Sequence, residues 1–198
     1  IDGTPPQVAV TAPNGNEILK GGSLCTITWT AQDPNFAPNT IGLQYFDGAA
    51  WQTIATGEAN DGAYSWTVPT LNTAAATVRV TGWDLAGNSA SDESDNAFII
   101  DSTAPTIAIA SITPAHAGNG GCSLQGDVEI VVTASDALSG LASAPTVTVS
   151  GLTVTSLGQS APGTFKYRVT VDAQTDNGAH TVDATVADLA GNSAAAAQ

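Results

Sequence analysis

Apolar and polar residues alternate in short runs along the whole chain, with a period of two that suits strands and never settles into helical spacing. Between residues 23 and 31, Cys25, Ile27 and Trp29 fall on one side and Thr26, Thr28 and Thr30 on the other, the pattern of a half-buried strand. The same period predicts strands over 7–11, 41–46, 51–55, 63–68, 77–83 and 97–100. Turn residues separate them: Pro13-Asn14-Gly15-Asn16 after the first, Asp47-Gly48 as a hairpin signal, and Asn60-Asp61-Gly62 further on. Alternation places Trp29, Trp66 and Trp83 in the core. A second series follows over 106–112, 128–134, 146–149, a weaker 152–157, 165–171 and 181–187.

The two series are copies of one unit. Ile1-Asp2-Gly3-Thr4-Pro5-Pro6 returns as Ile100-Asp101-Ser102-Thr103-Ala104-Pro105, Thr30-Ala31-Gln32-Asp33 as Thr133-Ala134-Ser135-Asp136, and Asp84-Leu85-Ala86-Gly87-Asn88 as Asp188-Leu189-Ala190-Gly191-Asn192. The aspartates recur at offsets of 99, 103 and 104 residues, so the period is near a hundred with a small insertion early in the second copy. Seven or eight short strands in the first copy, with the second following suit until it stops short, predict an all-β chain of two tandem immunoglobulin-like Greek-key β-sandwiches. The domains are set at 1–101 and 102–198, with Ile1-Asp2 as the tail of a preceding repeat or linker. The closing strand of the first copy has no counterpart in the second. That predicts either a window from a longer tandem array or a filament subunit whose second sandwich borrows a strand from a neighbour.

Eighteen acidic residues against four basic ones give a net charge of −14, which excludes a phosphate-backbone partner. Only 11% of residues are charged, unlike a disordered acidic tail. No apolar run approaches the roughly 18 to 20 residues of a membrane span, and any export signal is expected to lie outside these residues. The two cysteines, one per copy, do not make a disulfide framework. Cys25 points into its strand's core, Cys122 sits in a glycine-rich turn, and no bridge between them is expected. No nucleophile elbow, zinc-protease motif or phosphate loop is present, so no catalytic residue is assigned and the chain is not read as an enzyme.

Pro13-Asn14-Gly15-Asn16-Glu17, Gly21-Gly22-Ser23, Ile27-Thr28-Trp29, Tyr64-Ser65-Trp66-Thr67-Val68-Pro69 and both Asp-Leu-Ala-Gly-Asn motifs resemble the tandem bacterial Ig-like modules of secreted and surface proteins, adhesins among them. The resemblance implies an extracellular or cell-surface, non-catalytic module that neighbours further repeats or identical subunits. It also implies calcium at the domain junctions.

The residues lead to calcium separately. In such a sandwich the start of the first strand, the loop after the second and the loop before the last gather at one pole. Each copy places an aspartate at all three: Asp2, Asp33 and Asp84, then Asp101, Asp136 and Asp188. Carboxylates forced together repel, so a cation or hydrogen bonds must compensate. Calcium takes six to eight oxygens in a flexible shell, and Asn88 and Asn192 are candidates to add theirs. Zinc is disfavoured, since neither His116 nor His180 has a suitable neighbour in sequence. Against this stands a plainer role, in which each aspartate caps its own turn by accepting backbone N–H bonds. Trp51, which starts a strand after a turn, is the one candidate for stacking on a glycan and carries the alternative of a carbohydrate-binding accessory module of a secreted hydrolase; a glycan or surface receptor is the candidate ligand.

Overall fold

Every regular element among the described residues of the computed structural model, which are 2–114, 125–172, 175 and 178–198, is a β-strand. The strands fall into two units, Ile1–Ser102 and Thr103–Gln198. No helix among the described residues is long and apolar enough to cross a membrane.

The first unit runs β1 (Gln7–Ala12), β2 (Ile18–Lys20), β3 (Leu24–Gln32), β4 (Phe36–Phe46), β5 (Trp51–Glu58), β6 (Ala63–Thr67), β7 (Thr73–Asp84), β8 (Ser89–Glu93) and β9 (Phe98–Asp101). One sheet has the order β1-β3-β6; the other is β2-β9-β7-β4-β5, with β8 also paired to β7. All of these pairs are antiparallel except β2 with β9, which run parallel. The inward faces meet in a core that includes Ile27, Trp29, Ile41, Leu43, Trp66, Val78, Val80, Phe98 and Ile100. Trp66 is its aromatic hub, tilted against Tyr45 at 5.4 Å and edge-on to Phe98 at 6.5 Å. Cys25, a free thiol, packs partly buried against this core. Burial and then the charge of Glu17 push its pKa up. Cys122 lies outside the described residues.

Trp83 is a correction to the alternation reading. On β7 the buried positions are Ala76, Val78, Val80, Gly82 and Asp84, so Trp83 has the opposite parity and stands 39% exposed on the outer face. The edge of its ring abuts Gly42 of the adjacent strand, where an added Cβ would come within 3.1 Å of the indole. The bare glycine accepts the ring on the outside.

The second unit runs β10 (Thr106–Pro114), β11 (Gly126–Ser135), β12 (Thr146–Val149), β13 (Val154–Ala161), β14 (Thr164–Val171), β15 (Val182–Ala187) and β16 (Ser193–Ala197). Its sheets are β10-β11-β14-β13 and β12-β15-β16. They enclose a core that includes Ile130, Val132, Phe165, Tyr167, Val169, Ala184 and Val186. Buried Tyr167 satisfies its hydroxyl on the Pro145 carbonyl. By position β16 answers β8.

Among the described residues the parallel β2–β9 pair has no counterpart in the second unit, and one corresponding strand changes sheet. β5 pairs with β4, whereas β13, at the same place in the repeat, pairs with β14 in the opposite sheet. Turn chemistry accounts for it. Asp47 accepts the amides of Ala49 and Ala50 at 2.8 Å each and closes a tight β4–β5 hairpin. In the second unit the tight turn is Pro162-Gly163, with Gly163 at φ 70°, and it joins β13 to β14 instead.

Candidate metal centre

Asp84 and Asp188 are fixed by identical turns. In each Asp-Leu-Ala-Gly-Asn segment the aspartate amide donates to the asparagine carbonyl at 3.0 Å, and the glycine amide donates back to the aspartate carbonyl. Gly87 and Gly191 both sit at φ 89°, a left-handed conformation that a side chain would strain. The tightness of the turn aims the asparagine at the carboxylate. Asn88 donates its backbone amide to Asp84 Oδ1 at 2.8 Å and its Nδ2 to Oδ2 at 2.7 Å. Asn192 repeats this on Asp188 at 2.8 and 2.9 Å. Both aspartates are buried. The two asparagines therefore present nitrogen to the site and act as clamps on the carboxylates.

Around Asp84 the first unit gathers the rest of its predicted set. Carboxylate oxygens of Asp2, Asp33 and Asp84 all lie within 4.8 Å of one another. Asp33 accepts the Asn35 amide at 2.7 Å, and Asn35 Nδ2 donates to Asp2 Oδ2 at 2.9 Å. Asn88 Nδ2 also reaches the Asp2 carbonyl at 3.3 Å. The Thr4 amide, then the Asn35 side chain, hold the Asp2 carboxyl below the ordinary aspartate range. Asn35 is the site residue that sequence reading missed. Its place in the second copy falls at Leu138 or Ser139, so no repeated letter marked it.

In the second unit, carboxylate oxygens of Asp136 and Asp188 come within the same 4.8 Å. Asp136 Oδ1 accepts the amides of Leu138 at 3.0 Å and Gly140 at 2.8 Å, with the Ser139 hydroxyl at 3.4 Å. Asp101 closes β9 of the first unit; it is buried, stands in register with Lys20 and accepts the Gly21 amide on its carbonyl. The ring of His180 is hydrogen-bonded through Nδ1 to the Ser150 carbonyl at 2.8 Å, while His116 lies outside the described residues.

Turn capping and charge clustering are thus both present, and they are compatible. Each carboxylate of the first-unit trio accepts at least one local N–H bond, yet three anions share a space of a few ångströms. The donor set is oxygen only, with carboxylates on three separate segments and the Asp2 carbonyl beside them, which suits a hard divalent cation of flexible geometry.

The Asp136 bonds have a titration consequence. Burial works to raise its carboxyl, and the amides of Gly140, Leu138 and Ser139 outweigh burial, so the folded pKa lies below the usual value. Such a group stabilises the fold above its unfolded pKa of about 3.9 and loses that contribution as pH falls through the folded value. In chelator, the urea midpoint of the second unit is expected to fall more steeply below about pH 4 in the wild type than in Asp136→Asn. Parallel pH profiles for the two proteins would show that these amides do not favour the ionised form.

No known protein family matches this sequence, and no curated protein matches it. Likeness appears only among solved structures. The N-terminal eight Ig domains of Down Syndrome Cell Adhesion Molecule superpose with a TM-score of 0.52 at 9% identity, over 98% of this chain and 27% of that one. Fibronectin(III)-like modules of CbhA from Clostridium thermocellum give 0.42 at 12% identity, over 96% and 91% of the two chains. Dpr2 Ig1–Ig2 in complex with DIP-Theta Ig1–Ig3 gives 0.32 at 13%, over 98% and 63%. This chain spans about a quarter of that eight-domain chain, and at 9% identity the likeness is one of Ig-like fold.

Proposed function

We propose that the chain is an extracellular structural segment, an adhesive or extension region of a bacterial surface or secreted protein, in which calcium stiffens each carboxylate pole. The observation that carries this reading is the convergence of Asp2, Asp33 and Asp84 from three separate segments, with oxygens within 4.8 Å. A fold gathers like charges at one point at a cost, and a bound cation offsets it. Asp2, Asp33 and Asp84 would hold the ion, while Asn35 and Asn88 orient the carboxylates. Calcium would supply neutralisation and cross-linking of the chain entry to two loops.

In the repeat Asp101 stands to Asp136 and Asp188 as Asp2 stands to Asp33 and Asp84. The repeat therefore carries the same calcium reading over to the second set, Asp101, Asp136 and Asp188. Affinity is expected on the order of 10⁻⁴ to 10⁻³ M, the range of extracellular calcium modules.

Thermal melting of chelator-treated protein with added calcium, and separately with magnesium, tests the reading. Calcium is expected to raise the transition and magnesium to do so much less, because the smaller ion demands near-octahedral geometry. An unchanged melting temperature in calcium would remove the metal from the account and leave capped turns alone.

A further inference from the structure

The outer face of the β5-β4-β7-β8 layer is unlike an ordinary solvent face. Trp83 lies over Gly42 at one end, 39% exposed, with the edge atoms Cζ3 and Cη2 of its six-membered ring against the glycine. At the other end Phe46 and Trp51 are cross-strand partners with ring centroids 5.5 Å apart. Register places Gln44 and Arg79 side by side between the two ends. The Arg79 guanidinium stacks 3.8 Å over the Trp51 ring and pairs with Glu93 at 2.6 Å. One face of Trp51 is therefore covered. Trp83 remains as the ring that touches Gly42 by one edge and stays 39% exposed.

From this arrangement we infer that the outer face of the first unit binds a neutral oligosaccharide, with Trp83 as the stacking platform and Gln44, Arg79 and Glu93 as the hydrogen-bonding groups. An indole whose edge abuts Gly42 and which stays 39% exposed offers apolar ring surface that can meet the C–H face of a pyranose ring. The Gln44 amide and the fixed Arg79–Glu93 pair offer donors and acceptors in set positions, the few convergent polar groups that orient a ligand. Gly42 and Phe46 are four residues apart on β4, so the face between the two aromatic ends runs about 13 Å, enough for a short run of sugar units.

Charge and composition choose this occupant. With a net charge of −14 and its one cation already paired to Glu93, the face repels uronic or sulfated chains and accepts neutral ones. The outward positions of these strands hold threonine, serine, glutamine, Gly42, the Arg79–Glu93 pair and aromatic residues, but no leucine, isoleucine or valine. Between the aromatic ends the middle of the face is polar, with Gln44 beside Thr53 and Arg79, where the core of a protein interface is apolar.

The test uses the full chain in chelator, so that the result is independent of the calcium reading. Cellohexaose, xylohexaose and mannohexaose are titrated by calorimetry, with polygalacturonate as the anionic control. At least one neutral probe is expected to bind, and Trp83→Ala to weaken it by about tenfold, the scale of a lost aromatic stack. Trp83→Phe is expected to retain part of the affinity, and Gln44→Ala to weaken binding while leaving the core untouched. Absence of binding to every neutral probe would overturn the inference, as would undiminished binding by both Trp83→Ala and Gln44→Ala or a preference for polygalacturonate. Sedimentation that shows a dimer lost in Trp83→Ala would overturn it as well, by assigning the face to a second copy.

Discussion

In about 10 mM calcium, Asp84→Asn is expected to melt well below the wild type, while in chelator the same variant melts at or above it. The reversal follows from the two roles that Asp84 combines. Asparagine keeps an oxygen for the Asn88 amide, now 2.8 Å away, and the Asn88 side chain can turn to offer its own oxygen to the new amide. The turn survives, and one of three mutually repelling charges is gone. Without metal that is neutral or stabilising. With metal, the site loses its buried ligand and the binding energy that goes with it. For a dissociation constant of 10⁻³ to 10⁻⁴ M, 10 mM calcium is worth roughly 1.4 to 2.7 kcal/mol by mass action. In a unit of about a hundred residues this is on the order of 5 to 20 °C. Asp188→Asn is expected to behave in the same way in the second unit. A variant destabilised equally in calcium and chelator would show that Asp84 only caps its turn.

Trp66→Ala has the largest effect expected without any ligand. The ring is 4% exposed and contacts both Tyr45 and Phe98, so truncation removes apolar burial and leaves a void between the sheets. Losses of about 3 to 5 kcal/mol are usual for such a change, a large share of the 5 to 15 kcal/mol that holds a typical domain together. All four tryptophans belong to the first unit. Tryptophan fluorescence therefore follows the first unit alone, and its urea midpoint is expected to fall sharply in Trp66→Ala. A midpoint within a few tenths molar of the wild type would place the hub of the core elsewhere.

Most strands were legible in the sequence because each buries one face, and burial writes a period of two into the residues. Trp29 and Trp66 follow that period into the core. Trp83 breaks it, because the explanation lies on another strand: Gly42 leaves room outside for a ring that looks like core. The sheet exchanged by β13 was written in Pro162-Gly163, a turn whose meaning depends on which neighbour lies within reach. The site divides similarly. Asp2, Asp33 and Asp84 were visible because the repeat states them twice. Asn35, which ties Asp2 to Asp33, has no repeated partner and becomes visible only when the two loops meet.

The parallel pairing of β2 with β9 bears on how the first unit responds to tension. Ile18, Leu19 and Lys20 lie in register with Ile99, Ile100 and Asp101, on strands that leave the unit in opposite directions. When its two ends are drawn apart, the bonds between these strands are loaded in shear, so they must rupture together and cannot open one at a time like a zipper. The short run of backbone bonds at the edge of the sheet thereby sets the force at which the first unit yields.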